Sequence, residues 1–505
     1  MGQRRYGRGR LHFARHSDRV QKMRRILLAI VLCGPAALPQ ELRVTGGLTD
    51  DQVLQQGPSG TAGLRLRGSA QGAGGRAVEA RLLRRFLPLA GFDWATIGKV
   101  EGGAWSGELA NIPAGGPYRL ELRIPGTTAE TAVQNVLVGD LWVLAGQSNM
   151  EGYGDLVDLE QPHALVHSLD MADHWLVAEE PLHLLRGAAD RVHWGRNASG
   201  QPERLEGDAL RKFAAGRRKG AGLGLPFAVE MVRRTGVPIG LLPCAHGGTS
   251  MKQWDPAVRD QGGDSLYGAM LRRVWAVGGK VKGVLWYQGE SETNPAAAAV
   301  FPEKFQALVA SIREDFGQPD LPFYYVQVGR YVNNNNVASW NTVQDEQRRA
   351  EAVIPHCAMA AAVDLALDDG IHVGSRDLKR LGIRLANLAR GMPRGPRPVS
   401  ATLLANDVVR VVFSDVNGSL EVPDRIAGFS IHAPGGEPVP LIFKARIDPA
   451  DRSAVLLYLD RKLPERAVLH YGFGKDPYCN LRDSADMAAP VFGPMEVRTQ
   501  GPAAN

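Results

Sequence analysis

Residues 135–152 read "NVLVGDLWVLAGQSNMEG". The run through Ala145 is apolar enough for a strand buried on both faces, as in a parallel sheet. It then leaves through Gly146 onto three small polar residues, Gln147, Ser148 and Asn149. Glycine, asparagine and serine are ordinary turn residues for backbone reasons alone. A serine at the carboxyl end of a sheet strand, however, stands where open α/β sheets keep their ligands. The string does not separate the two readings; the remainder of the chain must supply a base, a carboxylate and oxyanion donors.

Downstream the texture supports an α/β domain over 136–392. The strand candidates "VPIGLLPCA" (237–245), "VKGVLWYQG" (281–289), "LPFYYVQVG" (321–329) and "CAMAAAVDLA" (357–366) alternate with helical stretches at 226–235, 266–277, 302–316 and 375–390. Buried strands separated by helices predict βαβ units and a parallel sheet. Residues 156–222 fit this rhythm poorly and read as an insertion, of the kind that shapes a site's rim.

On either side the pattern is β. Short alternating segments with Gly-rich turns over 41–135, such as "LRLRG" and "YRLELRI", predict a β-sandwich-like module. After the Pro/Gly linker "GMPRGPRP" (391–398), residues 398–500 predict a second, C-terminal one.

A chain of 505 residues exceeds a single hydrophobic core. Its net charge of +6 hints at a polyanion partner, but nine Arg and Lys and one Asp lie in residues 1–25. The rest holds 50 basic and 52 acidic residues, so no nucleic-acid partner is expected. The basic start, the apolar "ILLAIVL" (26–32) and the small residues after it look like a secretory signal peptide over 1–40, with Met23 as the more ordinary start. The run is too short to span a bilayer, so export to a periplasmic or extracellular space is expected. Cys244, Cys357 and Cys479 would remain, too scattered for a disulfide framework or a zinc site. No metal or other cofactor is expected.

Chemistry-bearing residues gather at the ends of the predicted strands. Ser148 needs a base to act as a nucleophile at neutral pH. His372, in "DLALDDGIHVGSRD", lies between a strand and a helix, and Asp369 three residues earlier has a spacing that lets its carboxylate reach the imidazole. Asp364 and Asp368 compete for that role, and "DDG" is equally a turn. "AHGGTSMKQW" offers backbone N–H groups at Gly247 and Gly248 to an oxyanion, or simply turns the chain. In "WYQGESE", Gln288 offers an amide donor and Glu290 a carboxylate that could hold loops together. Trp254, Tyr153 and Trp340 could stack on a sugar or pack in a core.

Taken in order, "VGDLWVLAGQSNMEG", "HGGTSMKQW", "LWYQGESE" and "DGIHV" resemble the sialate O-acetylesterase group of the SGNH-hydrolase superfamily, close to carbohydrate esterases. "DDQVLQQGP" and "HYGFGKDPYCNLRDSADMAAPVF" resemble the β-rich leader and tail of the same enzymes, while Val373 departs from a proline common beside the histidine. The resemblance implies a three-layer, flavodoxin-like esterase domain acting on an acetylated carbohydrate. It implies Ser148 as nucleophile, His372 as base and Asp369 as its partner. The oxyanion hole would be the N–H groups of Ser148 and of Gly247 or Gly248 with the Gln288 side chain, supported by Gln147, Asn149 and Glu290. Two other readings are a glycan-binding protein with a degenerate centre, and a lipid or thioester hydrolase of the same superfamily. The intact Ser, Asp and His argue against the first, and polar surroundings against the second.

Overall fold

The strand that carries the opening stretch is 17 residues long, Glu130–Gly146, and belongs to two layers of structure at once. In the computed structural model, which describes residues 41–333, 335–405 and 407–499, its first half pairs antiparallel with Gly115–Arg123. Its second half lies between two parallel neighbours, Ile239–Pro243 and Gly283–Tyr287. One strand therefore crosses the boundary expected at 135/136. The leader expected over 1–40 lies outside the described residues.

The parallel sheet continues from Gly283–Tyr287 to Phe323–Gln327 and then Cys357–Ala361. Beyond Ile239–Pro243 it gains Val166–Leu169 in parallel and Trp175–Val177 as an antiparallel edge. Two strands of this sheet thus come from the segment read as an insertion. That segment is built in further by Arg273, fully buried, which bonds Asp173 at 2.7 Å and the carbonyls of Leu169 and Asp170. An unpaired charge at that depth would cost several kcal/mol, so the contact fixes the segment against the helix that supplies the arginine.

Alternation along Glu130–Gly146 sorts the side chains onto two faces. Trp142 and Leu144 join a cluster with Phe227 and Val232 of helix Gly224–Thr235 and Leu381 and Leu385 of helix Ser375–Ala389. Leu141, Val143 and Ala145 join another with Met270 and Val274 of Leu266–Ala276 and Phe305 and Leu308 of Pro295–Asp315. Helices cover both faces, which is why the strands read as unbroken apolar runs. A further helix, Val337–Val353, escapes periodicity analysis because its buried side includes Ser339, Asn341, Gln344, Asp345 and Gln347.

The N-terminal residues form one continuous sheet that curls over a single core, not two packed sheets. Thr61–Ala70 alternates buried Ala62, Leu64 and Leu66 with exposed Arg65 and Arg67, and shares its core with Leu82 and Leu120 from other strands. The C-terminal residues form an eight-stranded sheet around Val411, Phe413, Leu457, Tyr471 and Phe492. Gln327 ties it to the parallel sheet, bonding both the N–H and the carbonyl of Val491. Among the described residues no helix is long and apolar enough to cross a membrane.

Candidate active site

Ser148 opens a four-residue helix at the end of Glu130–Gly146, between the two parallel neighbours of that strand. Gly146 makes the exit possible. Its φ is 134°, and a Cβ there would sit 2.2 Å from the Tyr287 carbonyl oxygen, so no other residue fits without moving the next strand. The Ser148 N–H leads the helix and has no intrahelical acceptor.

The histidine comes from the other end of the sheet. After Cys357–Ala361 the chain forms a small hairpin closed by a bridge between Leu367 and Val373, with Asp369 and His372 at its tip. His372 Nε2 is 3.0 Å from Ser148 Oγ, and Nδ1 is 2.8 Å from Asp369 Oδ2. Asp369 Oδ1 also accepts the N–H groups of Ile371 and His372. Burial alone would push the Asp369 carboxyl up; hydrogen bonds from Lys219, His372 and those two amides outweigh it and hold it well below the usual range. The competing carboxylates are engaged elsewhere: Asp364 by Arg384 at 2.6 Å, and Asp368 by the N–H groups of Asp155 and Ser375.

A buried polar network joins the strand ends. Asn149 donates to Glu290 Oε1 at 2.8 Å and accepts the Val373 N–H at 3.0 Å, linking the Ser148 helix to the histidine loop. The Gln147 amide, oriented to suit its neighbours, donates to Glu290 Oε2 at 3.3 Å and the Thr249 carbonyl at 3.1 Å. Burial raises the Glu290 carboxyl, with Asn149 opposing.

Three expectations change. Gln288 is fully buried, and its Nε2 donates to Glu292 Oε1 at 3.1 Å and the Thr249 carbonyl at 3.4 Å, so it braces the glycine loop and offers no open donor. The Gly247 N–H is likewise occupied, donating to Glu151 Oε2 at 2.6 Å, while Gly248 is exposed at φ 69°. Trp254 and Trp340 are core residues, not sugar platforms: Trp254 packs on Trp286 and donates to Thr249, and Trp340 donates to the Gly329 carbonyl. Tyr153 alone of the three aromatics is at the site, stacked on the His372 ring at 4.6 Å. The charge of Glu151, and then burial, raise its phenol.

Three residues were absent from the sequence reading. Lys219 bonds Asp369 Oδ2 at 2.6 Å, Glu151 holds Gly247, and Glu292 holds both Gln288 and the Met251 N–H. Glu151 adjoins the "GQSNM" string and Glu292 ends "QGESE", so both were within reach; Lys219 carries no local signal. Among the described residues no group of His, Cys, Asp and Glu is placed to hold a metal ion.

A sequence profile described as "Carbohydrate esterase, sialic acid-specific acetylesterase" matches residues 138–390, half of the chain and all four strand ends just described. The chain belongs to this family. Membership makes it a carboxylic ester hydrolase of the carbohydrate-esterase class. Human sialate O-acetylesterase is 24% identical over 434 residues, covering 75% of this chain and 78% of that protein. A probable carbohydrate esterase of Arabidopsis thaliana is 25% identical over 287 residues, 52% of this chain and 94% of its own length. The crystal structure of a carbohydrate acetylesterase from Xanthomonas citri superposes with a TM-score of 0.61 at 24% identity, covering 89% of this chain and 99% of that one, a likeness of fold.

Proposed function

We propose that this member of the family is a serine esterase that removes O-acetyl groups from carbohydrates through an acetyl-enzyme, on an SGNH-hydrolase-type α/β domain. The observation that carries the reading is the relay of Ser148, His372 and Asp369, at 3.0 and 2.8 Å. His372 Nε2 takes the Ser148 proton as Oγ attacks the acetyl carbonyl, and Asp369 steadies the imidazolium that forms. The tetrahedral oxyanion is met by the N–H groups of Ser148 and Gly248. His372 returns its proton to the departing sugar oxygen, and water then repeats the sequence on the acetyl group.

Support for a carbohydrate ester comes from the family and from the character of the centre. Gly247 lies against Ser148 and Tyr153, and Tyr153 stacks on the His372 ring, so the groups around the relay are small, polar or aromatic. Purified protein should release acetate from acetylated sugars and short aryl esters, and Ser148→Ala should abolish it. Binding of glycans without turnover, or preference for long acyl chains, would refute the reading. We also propose export, on the basic and then apolar pattern of residues 1–40, to be tested by fractionating cells that express the full chain.

A further inference from the structure

We propose that Lys219 is a positioning residue of the esterase centre, holding Asp369 against His372 and setting the charge that the base meets as it takes the serine proton. The inference rests on the Ser148–His372–Asp369 reading above. Lys219 Nζ lies 2.6 Å from Asp369 Oδ2, and the same oxygen lies 2.8 Å from His372 Nδ1. The other carboxylate oxygen receives two backbone N–H groups, so Asp369 is fixed from each side. Lys219 is set by backbone pairing. Its strand, Lys219–Ala221, runs antiparallel to Gly154–Asp155, directly after the nucleophile's helix, and Asp155 Oδ1 is 3.8 Å from Nζ.

An ammonium and an imidazolium that share one carboxylate oxygen repel each other. The cation therefore bears against the positive charge that His372 acquires when it takes the Ser148 proton. Other charged or titratable groups face the ring less directly. Tyr153 stacks on it, with Glu151 behind; Asp368, on the same loop, is held by the N–H groups of Asp155 and Ser375. Arg217 donates to the carbonyls of Lys219 and His183, and Glu290 reaches the loop only through Asn149. Lys219 is the cation bonded to the carboxylate. Segment 156–222, read from the sequence as an insertion, thus contributes to the catalytic carboxylate's environment.

The test is the pH dependence of kcat/KM on a short acetyl ester for wild type, Lys219→Met and Lys219→Arg, beside an NMR titration of labelled histidines with His372 assigned through His372→Asn. Lys219→Met should move the acid limb of the profile, and the midpoint read by NMR, to higher pH, as expected when one of two like charges across a carboxylate is removed. Lys219→Arg should stay near wild type. An unmoved midpoint in folded Lys219→Met, or an Arg variant displaced as far as the Met variant, would overturn the proposal. If Lys219→Met does not fold, Lys219→Gln against Lys219→Arg gives the same comparison. The NMR titration needs no turnover, so an inactive wild type would remove the proposed function while the Lys219 assignment is still decided.

Discussion

Replacing Glu151 by glutamine should change how the stability of this protein depends on pH. The Glu151 side chain is buried in the helix that Ser148 opens, and burial raises its carboxyl from 4.5 to about 7, opposed by the Gly247 N–H and the charge of Arg217. In the unfolded chain the carboxyl ionises near its ordinary value. Between those two values the unfolded state holds fewer protons than the folded one, so stability falls as pH rises. The loss begins near 4.5, is complete above about 7, and at about 1.4 kcal/mol per unit reaches about 3 kcal/mol. Glutamine keeps an oxygen for the Gly247 N–H and cannot ionise. Urea denaturation of both proteins from pH 5 to 8 should show the stability of Glu151→Gln relative to wild type rising by about 3 kcal/mol across that range. The equally buried Glu180, also raised to about 7, is present in both proteins and cancels in the difference. A difference that stays flat with pH would refute the argument that Glu151 is desolvated.

Other substitutions test other contacts. Asn149→Ala leaves the Val373 N–H unpaired and removes one donor from buried Glu290, and should cost about 1–3 kcal/mol in stability and detach the histidine loop, read as lost kcat. Gly146→Ala forces a side chain into the Tyr287 carbonyl and should give insoluble or inactive protein, whereas a soluble, fully active variant would show that the strand exit is relaxed. Trp254→Ala should lower stability by about 3–5 kcal/mol and leave the KM for small esters unchanged, since Trp254 is core; raised KM with intact stability would restore its reading as a sugar platform.

Much of the centre was legible because its chemistry is local. Gly146 and Ser148 lie two residues apart at a strand end, and Asp369 and His372 lie three apart on one hairpin, so type and spacing carried information that folding preserved. Contacts that depend on depth were not legible. Trp254 stands close to the glycine loop in sequence, but its indole points into the layer between sheet and helices. Gln288 occupies a strand end like the others, yet its amide is drawn to Glu292 and Thr249. The strand Val166–Leu169 hid because it buries His167 and Ser168, and helix Val337–Val353 because its inner face is largely amides. The junction at 135/136 could not be seen because one strand serves both sheets, and a change of partner leaves no mark in its own residues.

The most direct test of the account is to stop a reaction with an activated acetyl ester early and measure the intact mass and peptide map of the protein. One acetyl group should be added to the peptide carrying Ser148, accumulating before steady state and absent in Ser148→Ala. Full turnover in Ser148→Ala, or an acetyl group on another residue that turns over at the catalytic rate, would contradict it.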